Sequence, residues 1–190
     1  MASTLRFTNA DLESFPDALD DTRYEVIERE LQVAHQPHWE HQFVNLTLGA
    51  ALHEWNRRTR LGVANLAPDV IFSPEVGVAP DLVWISRERR AEGLRPDGKL
   101  SIAPEIAVEI LSPGSVNERR ERDLKRKLYA REGVEEYWIV DWRAKQIAIY
   151  RRDGDTLEPA LTLGDADLPT SPLLPGFSFP IHDLWEAALD

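Results

Sequence analysis

The 190-residue sequence predicts an α/β domain, a mixed β-sheet held between helices. Three observations predict it. The runs Asp81 to Ser86, Glu105 to Leu111 and Glu136 to Asp141 are apolar at nearly every position, as strands covered on both faces are. The stretches His38 to Arg58 and Asn117 to Arg131 have the spacing or composition of helices. Their order along the chain is strands, helix, strands, helix, strands, which wraps helices onto a sheet.

Taken in order, the first twenty residues are polar and end in the acidic Asp17-Ala18-Leu19-Asp20-Asp21, so residues 1–21 are expected to be a flexible lead-in. Tyr24 to Glu28 and Leu31 to Val33 are strand-like, with Arg29-Glu30 the expected turn of a β-hairpin. From His38 onward, Phe43, Leu46, Leu48, Ala51, Leu52 and Trp55 fall near a 3.6-residue period, with Pro37 a start signal and Gly62 a stop. Short strands are expected around Val63 to Leu66 and Asp69 to Phe72, punctuated by Pro68 and Pro74. Arg87 to Lys99 is charged and contains Gly93, Pro96 and Gly98, so it reads as a loop or short helix. After Pro113-Gly114-Ser115 the second helix ends at Gly133, and Gln146 to Tyr150 pairs with the strand before it. Leu168 to Pro180 is a proline-rich meander, and Ile181 to Leu189 a closing helix.

Composition narrows the function. The absence of cysteine excludes a disulfide scaffold, an iron–sulfur site, a thiolate zinc site and a cysteine nucleophile. With 22 Lys and Arg against 33 Asp and Glu the net charge is −11, which argues against a protein that coats nucleic acid non-specifically. Met1 to Phe15 has no signal-like apolar segment, and no run approaches the ~20 residues that span a bilayer. A soluble cytoplasmic protein that does not engage membranes is expected.

The chemically informative residue is Glu109, an acid inside an apolar strand, where a carboxylate needs a cation, a proton or hydrogen bonds. An ion pair with an arginine would meet that need without any catalytic role. Asp81 opens a second buried strand after Pro80, a position that a simple strand end also explains. If Leu124 and Leu128 face the core, Glu121 and Lys125 lie at the edge of that stripe, and strand, turn and helix bring Lys125 back over Glu109. Lys125 could equally be a solvated helix charge. Two carboxylates with a lysine in an apolar setting suit Mg²⁺ or Mn²⁺. His38 and His41, three apart around Glu40, could bind zinc or contact substrate, or simply mark a helix start. No P-loop, G-x-G-x-x-G or G-x-S-x-G motif is present.

Four ordered segments resemble the Uma2 family, which is placed among the PD-(D/E)xK nucleases with the restriction-endonuclease-like fold. They are Tyr24 to Leu31, Ala79 to Val83, Val108 to Pro113 and Tyr129 to Asp141, and Leu173-Leu174-Pro175-Gly176 resembles the family's ending. The likeness spans residues 22 to 185, so 22–190 is expected to form one nuclease domain with a restriction-endonuclease-like core and an N-terminal β-hairpin. It implies that Asp81 and Glu109, 28 positions apart, are the two acids of the motif. The superfamily lysine, two residues after the second acid, is replaced by Leu111. In this family the lysine stands four residues before a tyrosine on the next helix, which here is Lys125 before Tyr129, with Lys127 the alternative. Glu121 replaces the family's aspartate four residues before that lysine, with Asp123 nearby. A further acid from an N-terminal element would be Glu25 or Glu40, with Glu25 favoured.

What the resemblance implies is a Mg²⁺- or Mn²⁺-dependent endonuclease acting on DNA. Asp81, Glu109 and the Ile110 carbonyl would hold the metal, and Lys125 and Glu25 would complete the catalytic group. Glu118 to Arg131 carries seven basic residues against three acids, making Arg122, Arg126 and Lys127 the candidate phosphate contacts. Arg57-Arg58-Thr59-Arg60 is a smaller basic patch. The competing expectation is a non-catalytic homodimeric interaction domain with a vestigial site, using whichever of Trp84, Trp138, Trp142 and Trp185 are exposed.

Overall fold

The computed structural model describes residues 5–15, 23–34, 38–111 and 118–185. Ten strands form two sheets. The larger has the order β10-β9-β8-β7-β6-β3 and the smaller the order β2-β1-β5-β4. In chain order these are β1 (Arg23–Ile27), β2 (Glu30–Ala34), β3 (Gly62–Leu66), β4 (Val70–Ser73), β5 (Val76–Val78), β6 (Leu82–Ser86), β7 (Ile106–Ile110), β8 (Glu136–Asp141), β9 (Gln146–Asp153) and β10 (Thr156–Leu163). The helices are α1 (Asn9–Leu12), α2 (Trp39–Thr59), α3 (Arg87–Gly93) and α4 (Glu118–Glu132), with a 3₁₀ turn at Ile181–Leu184.

The period-2 rule explains why the central strands are apolar throughout. Ile106, Val108 and Ile110 of β7, with Trp138 and Val140 of β8, pack in one core with Val44, Leu48, Leu52 and Trp55 of α2. The alternate residues Ala107, Leu111, Tyr137 and Ile139 enter a second core with Leu128, Tyr129 and Ala130 of α4. The sheet is mixed. β7 and β8 run parallel, whereas β6 pairs antiparallel with β7. Parallel strands need a crossover, and α4 supplies it.

Several expectations are corrected. The hairpin turn is Glu28-Arg29, with φ of 52° and 68°, and Glu30 already pairs with Ile27. Two consecutive left-handed residues make the turn compatible with strand twist, a job glycine or asparagine usually does. The left-handed cap of α2 is Arg60, not Gly62, and its N–H bonds Asn56 O at 2.7 Å. Gly62 is instead the start of β3, where a Cβ would lie 2.3 Å from the Ile85 carbonyl. The buried stripe of α2 is His41, Val44, Asn45, Leu48, Leu52, Trp55 and Asn56, while Leu46 is 63% exposed. Of the four tryptophans considered as dimer surface, Trp84 and Trp138 are core residues.

Within the expected lead-in, residues 5–15 contact the small sheet. Phe7 N–H bonds Arg29 O at 2.9 Å, and Asn9 Nδ2 bonds Ser73 O at 2.7 Å, docking α1 on the small sheet. The acidic run 17–21, Pro37, the Pro113-Gly114-Ser115 turn and the end of the closing helix lie outside the described residues.

Candidate active site

Asp81 and Glu109 are brought together by strand register. Leu82 pairs with Val108, so one step further sets Asp81 opposite Glu109 across the β6–β7 pair. Residues so placed have Cβ atoms about 4.5–5.5 Å apart, and like charges there repel. Asp81 lies just ahead of β6, after Pro80, which cannot donate to a ladder. Its carboxylate extends the ladder instead, with Ile110 N–H donating to Asp81 Oδ2 at 2.8 Å.

Each acid is gripped by two side chains one helical turn apart. On α4, Lys125 Nζ lies 3.0 Å from Glu109 Oε1, and Tyr129 OH donates to the same oxygen at 2.7 Å. On α2, His41 Nε2 lies 3.1 Å from Asp81 Oδ2, and Asn45 Nδ2 donates to the Asp81 carbonyl at 3.1 Å. The i,i+4 spacing puts both members of a pair on one helix face, so α4 holds the Glu109 carboxylate twice and α2 holds Asp81 by its carboxylate and its main-chain carbonyl. Glu25, on β1 of the small sheet, completes the group. Its Oε2 lies 3.1 Å from Lys125 Nζ, and its Oε1 accepts Ala79 N–H at 2.8 Å.

Electrostatics follows from crowding acids around one ammonium group. Burial, with Asp81 and Glu25 nearby, outweighs Lys125 and Tyr129 and pushes Glu109 up to about 7. Burial would also raise Asp81, but the bonds from His41 and Ile110 and the charge of Lys125 hold it below the usual carboxylate range. Burial alone would lower Lys125, yet Glu109 and Glu25 keep it above its ordinary value and therefore charged. Tyr129 and Tyr137 are both held protonated, chiefly by burial and then by the Glu109 charge.

Glu136 offers an internal contrast. It too is an acid in a buried strand, but Arg151 Nε at 2.8 Å and Trp138 Nε1 at 2.8 Å satisfy it. That is the ordinary arginine-paired solution. Glu109 differs in sharing its lysine with a second carboxylate and facing a third.

The candidate residues divide into those drawn together and those not. Glu25, Asp81, Glu109, Ile110 and Lys125 converge. Glu40 does not join them and ion-pairs with His38 at the α2 start. Arg126 is occupied elsewhere, donating to Leu157 O at 3.2 Å and lying over the Tyr150 ring at 5.4 Å. Lys127 is exposed and Arg122 half-buried, and the side chain of Glu121 lies outside the described residues. Sequence reasoning passed over His41 and Tyr129 as acid partners. The signal for His41 was available, since His41, Asn45, Leu48 and Leu52 form one helical stripe carrying two polar residues among apolar ones.

The donor set fits a hard divalent cation of the Mg²⁺ type. Such an ion binds one or two carboxylates and keeps several waters, and Asp81 and Glu109 lie opposed across the β6–β7 pair. Among the described residues no group of three or more His, Asp or Glu side chains could enclose a metal alone, so main-chain oxygen and water would complete the sphere.

The Uma2 family model, described as "Putative restriction endonuclease", matches residues 10–182. The chain belongs to the Uma2 family. Its fold overlays, at a TM-score of 0.73 and 18% identity, on the crystal structure of "a putative nuclease belonging to DUF820" from Anabaena variabilis ATCC 29413. That match covers 94% of this chain and 97% of the other. A weaker likeness, at a TM-score of 0.40 and 16% identity, is to the type IIG restriction endonuclease BpuSI, over 80% of this chain and 16% of that one. At that distance it carries no weight. Among curated proteins none matches the chain. The Uma2 match starts within α1, consistent with the docking of residues 5–15 on the small sheet. Within the described residues of this Uma2 chain, no helix is long and apolar enough to cross a membrane.

Proposed function

We propose that this Uma2 chain is a Mg²⁺- or Mn²⁺-dependent endonuclease that hydrolyses DNA phosphodiester bonds. The observation that carries the reading is the Lys125–Glu109 contact of 3.0 Å, made from α4 onto the strand register that opposes Glu109 to Asp81. Asp81, Glu109 and the Ile110 carbonyl would hold the cation. When bound, a divalent cation lowers the pKa of a water and neutralises charge on the scissile phosphate.

The protein's own residues set the rest. Lys125 is held charged by Glu25 and Glu109, so it supplies a fixed positive charge for the phosphate oxygens as negative charge builds on them. Tyr129 pins Glu109 through Oε1, and among the described residues neither of the two bonds to Glu109 uses Oε2. His41 and Asn45 hold Asp81 in one orientation, the kind of support that outer partners give a metal-binding carboxylate. Glu25 positions Lys125. Arg122 and Lys127 are the phosphate contacts on α4, while Arg126 braces β9 and β10. A net charge of −11 makes DNA binding weak and salt-sensitive.

The closed Glu25–Lys125–Glu109 network also suits a second reading, a non-catalytic homodimeric domain in which these residues are a structural ion pair. Plasmid DNA incubated with Mg²⁺ or Mn²⁺ separates the two. The nuclease reading expects nicking that EDTA abolishes and that Glu109→Gln and Asp81→Asn both lack. Cleavage undiminished by EDTA overturns the metal assignment, and no cleavage under either metal favours the structural reading.

A further inference from the structure

The two edges of the six-stranded sheet are built differently. β10 carries Pro159, the charged Glu158 and a register shift between Pro159 and Leu161. Such features keep an edge from pairing with another chain. β3, with the sequence Gly-Val-Ala-Asn-Leu, has no proline and no charge.

Its main-chain groups point alternately. Arg87 N–H donates to Leu61 O at 3.1 Å and Ala67 N–H to Asp81 O at 2.9 Å, so the odd-numbered residues face β6. The even-numbered residues face outward. Two of them are closed locally, Gly62 N–H onto Asn56 Oδ1 at 3.0 Å and Leu66 N–H onto Asn65 Oδ1 at 3.0 Å. Ala64 lies between these two caps, and among the described residues no hydrogen bond closes its outward N–H and C=O.

An apolar surface flanks this edge. Leu46 is 63% and Leu66 44% exposed, beside a hollow of about 240 Å³ lined by Leu46, Gly49, Ala50, His53, Ala64 and Leu66. Leu46, Gly49, Ala50 and His53 follow at three- and four-residue steps, which makes one stripe of α2. Gly49 lets the Leu66 side chain lie against the helix, since a Cβ there would be 3.0 Å from Leu66 Cδ2.

We propose that this face is a homodimer interface, with β3 of two copies paired antiparallel about a two-fold axis at Ala64 and the α2 stripes packed across the same axis. Two features select a second copy as the occupant. An antiparallel pair centred on one residue exchanges both N–H···O bonds between that residue and its own copy, so Ala64 is complementary to itself. Two chains of charge −11 repel except where acid is sparse. β3 has no acid, and beyond the stripe Arg57, Arg58 and Arg60 outnumber Glu54.

The pairing joins two six-stranded sheets into one. Asp81 sits one strand from the axis and three residues along it, so the two copies of Asp81 lie on the order of 25 Å apart by strand spacing and rise. The interface does not depend on the nuclease reading, because its readout is mass and not cleavage.

Sedimentation equilibrium on the full chain tests it. The expected mass is twice the 21.6 kDa of one chain. Leu46→Glu, at an exposed position, should give a 21.6 kDa species with an unchanged far-ultraviolet spectrum. Ala64→Pro, which removes the outward N–H at the centre of the pairing, should weaken dimerisation tenfold or more. A wild-type monomer at high concentration overturns the proposal, as does a dimer that survives both substitutions. A dimer without nuclease activity leaves this interface standing and removes the catalytic reading alone.

Discussion

Lys125 Nζ lies 3.0 Å from Glu109 Oε1, and the same ammonium group is 3.1 Å from Glu25 Oε2. One helix residue thus ties the central strand of the large sheet to the first strand of the small one. Removing Lys125 leaves two carboxylates buried without their cation, which typically costs about 3–5 kcal/mol. Lys125→Met should therefore lower the unfolding free energy by about 3–5 kcal/mol, read as a lower urea midpoint, and abolish cleavage. Urea titration of the two proteins checks it, and an unchanged midpoint would mean the ion-pair network contributes nothing.

His41 grips Asp81 from α2 at 3.1 Å. Its loss frees a carboxylate that the proposed chemistry needs fixed. His41→Ala should weaken Mn²⁺ affinity by roughly 10- to 100-fold, the usual effect of removing an outer partner of a metal ligand. The loss of stability should be about 1.5–3 kcal/mol, the worth of one hydrogen bond to a charged group. Calorimetric Mn²⁺ titration of the variant reads the first effect. Equal affinity would take His41 out of the site.

Glu109 titrates near 7 because burial and its acidic neighbours disfavour its charge. Facing it are Lys125 and Tyr129 of α4, Tyr137 of β8, Asp81 ahead of β6 and Glu25 of β1. Its pKa is raised on folding, so its contribution to stability is complete below the unfolded value and is lost as pH rises through about 7. Asp81 is shifted the opposite way, and its contribution is lost only as pH falls below the usual carboxylate range. Between pH 5 and about 8 the metal-free wild type should thus lose stability relative to Glu109→Gln. Thermal melts of both proteins in EDTA across that window test this, and a gap that stays constant with pH contradicts it.

Arg126 and Lys127 are neighbours with different employment. Arg126 braces Leu157 and Tyr150, and Lys127 is exposed. Lys127→Ala should reduce the slope of log affinity against log salt by about 0.9, the share of one phosphate contact on duplex DNA. Arg126→Ala should leave that slope unchanged while lowering stability by about 0.5–1.5 kcal/mol, the worth of a hydrogen bond. Salt-dependent binding of both variants to one duplex separates the two roles.

The parts of the fold that could be read in the sequence are those whose pattern is local. β8 begins at Glu136 and ends at Asp141, as its apolar run indicates, and α4 is bounded within a residue or two by Gly133 and its charge-rich composition. β5 is three residues long, too short to show a period, and β10 is interrupted by Pro159. Both are stabilised by pairing with strands made elsewhere, which sequence pattern does not record. In the site, Glu109 stood out because an acid is costly in an apolar run, and Lys125 because a helix returns over its preceding strand. Tyr129 lay in plain view four residues from Lys125, yet its bond to Glu109 spans 20 positions and depends on the helix orientation. Arg126 was grouped with the phosphate contacts by charge alone, and charge does not say which way a side chain turns.

The central claim is that the opposed acids Asp81 and Glu109 form a divalent-cation site. Mn²⁺ titration of the purified full chain, followed by the loss of free-ion paramagnetic signal, tests it without reference to any substrate. The account predicts saturable Mn²⁺ binding by the wild type that Mg²⁺ competes for and that Asp81→Asn and Glu109→Gln each remove. Binding that persists in both variants, or none by the wild type, would contradict it.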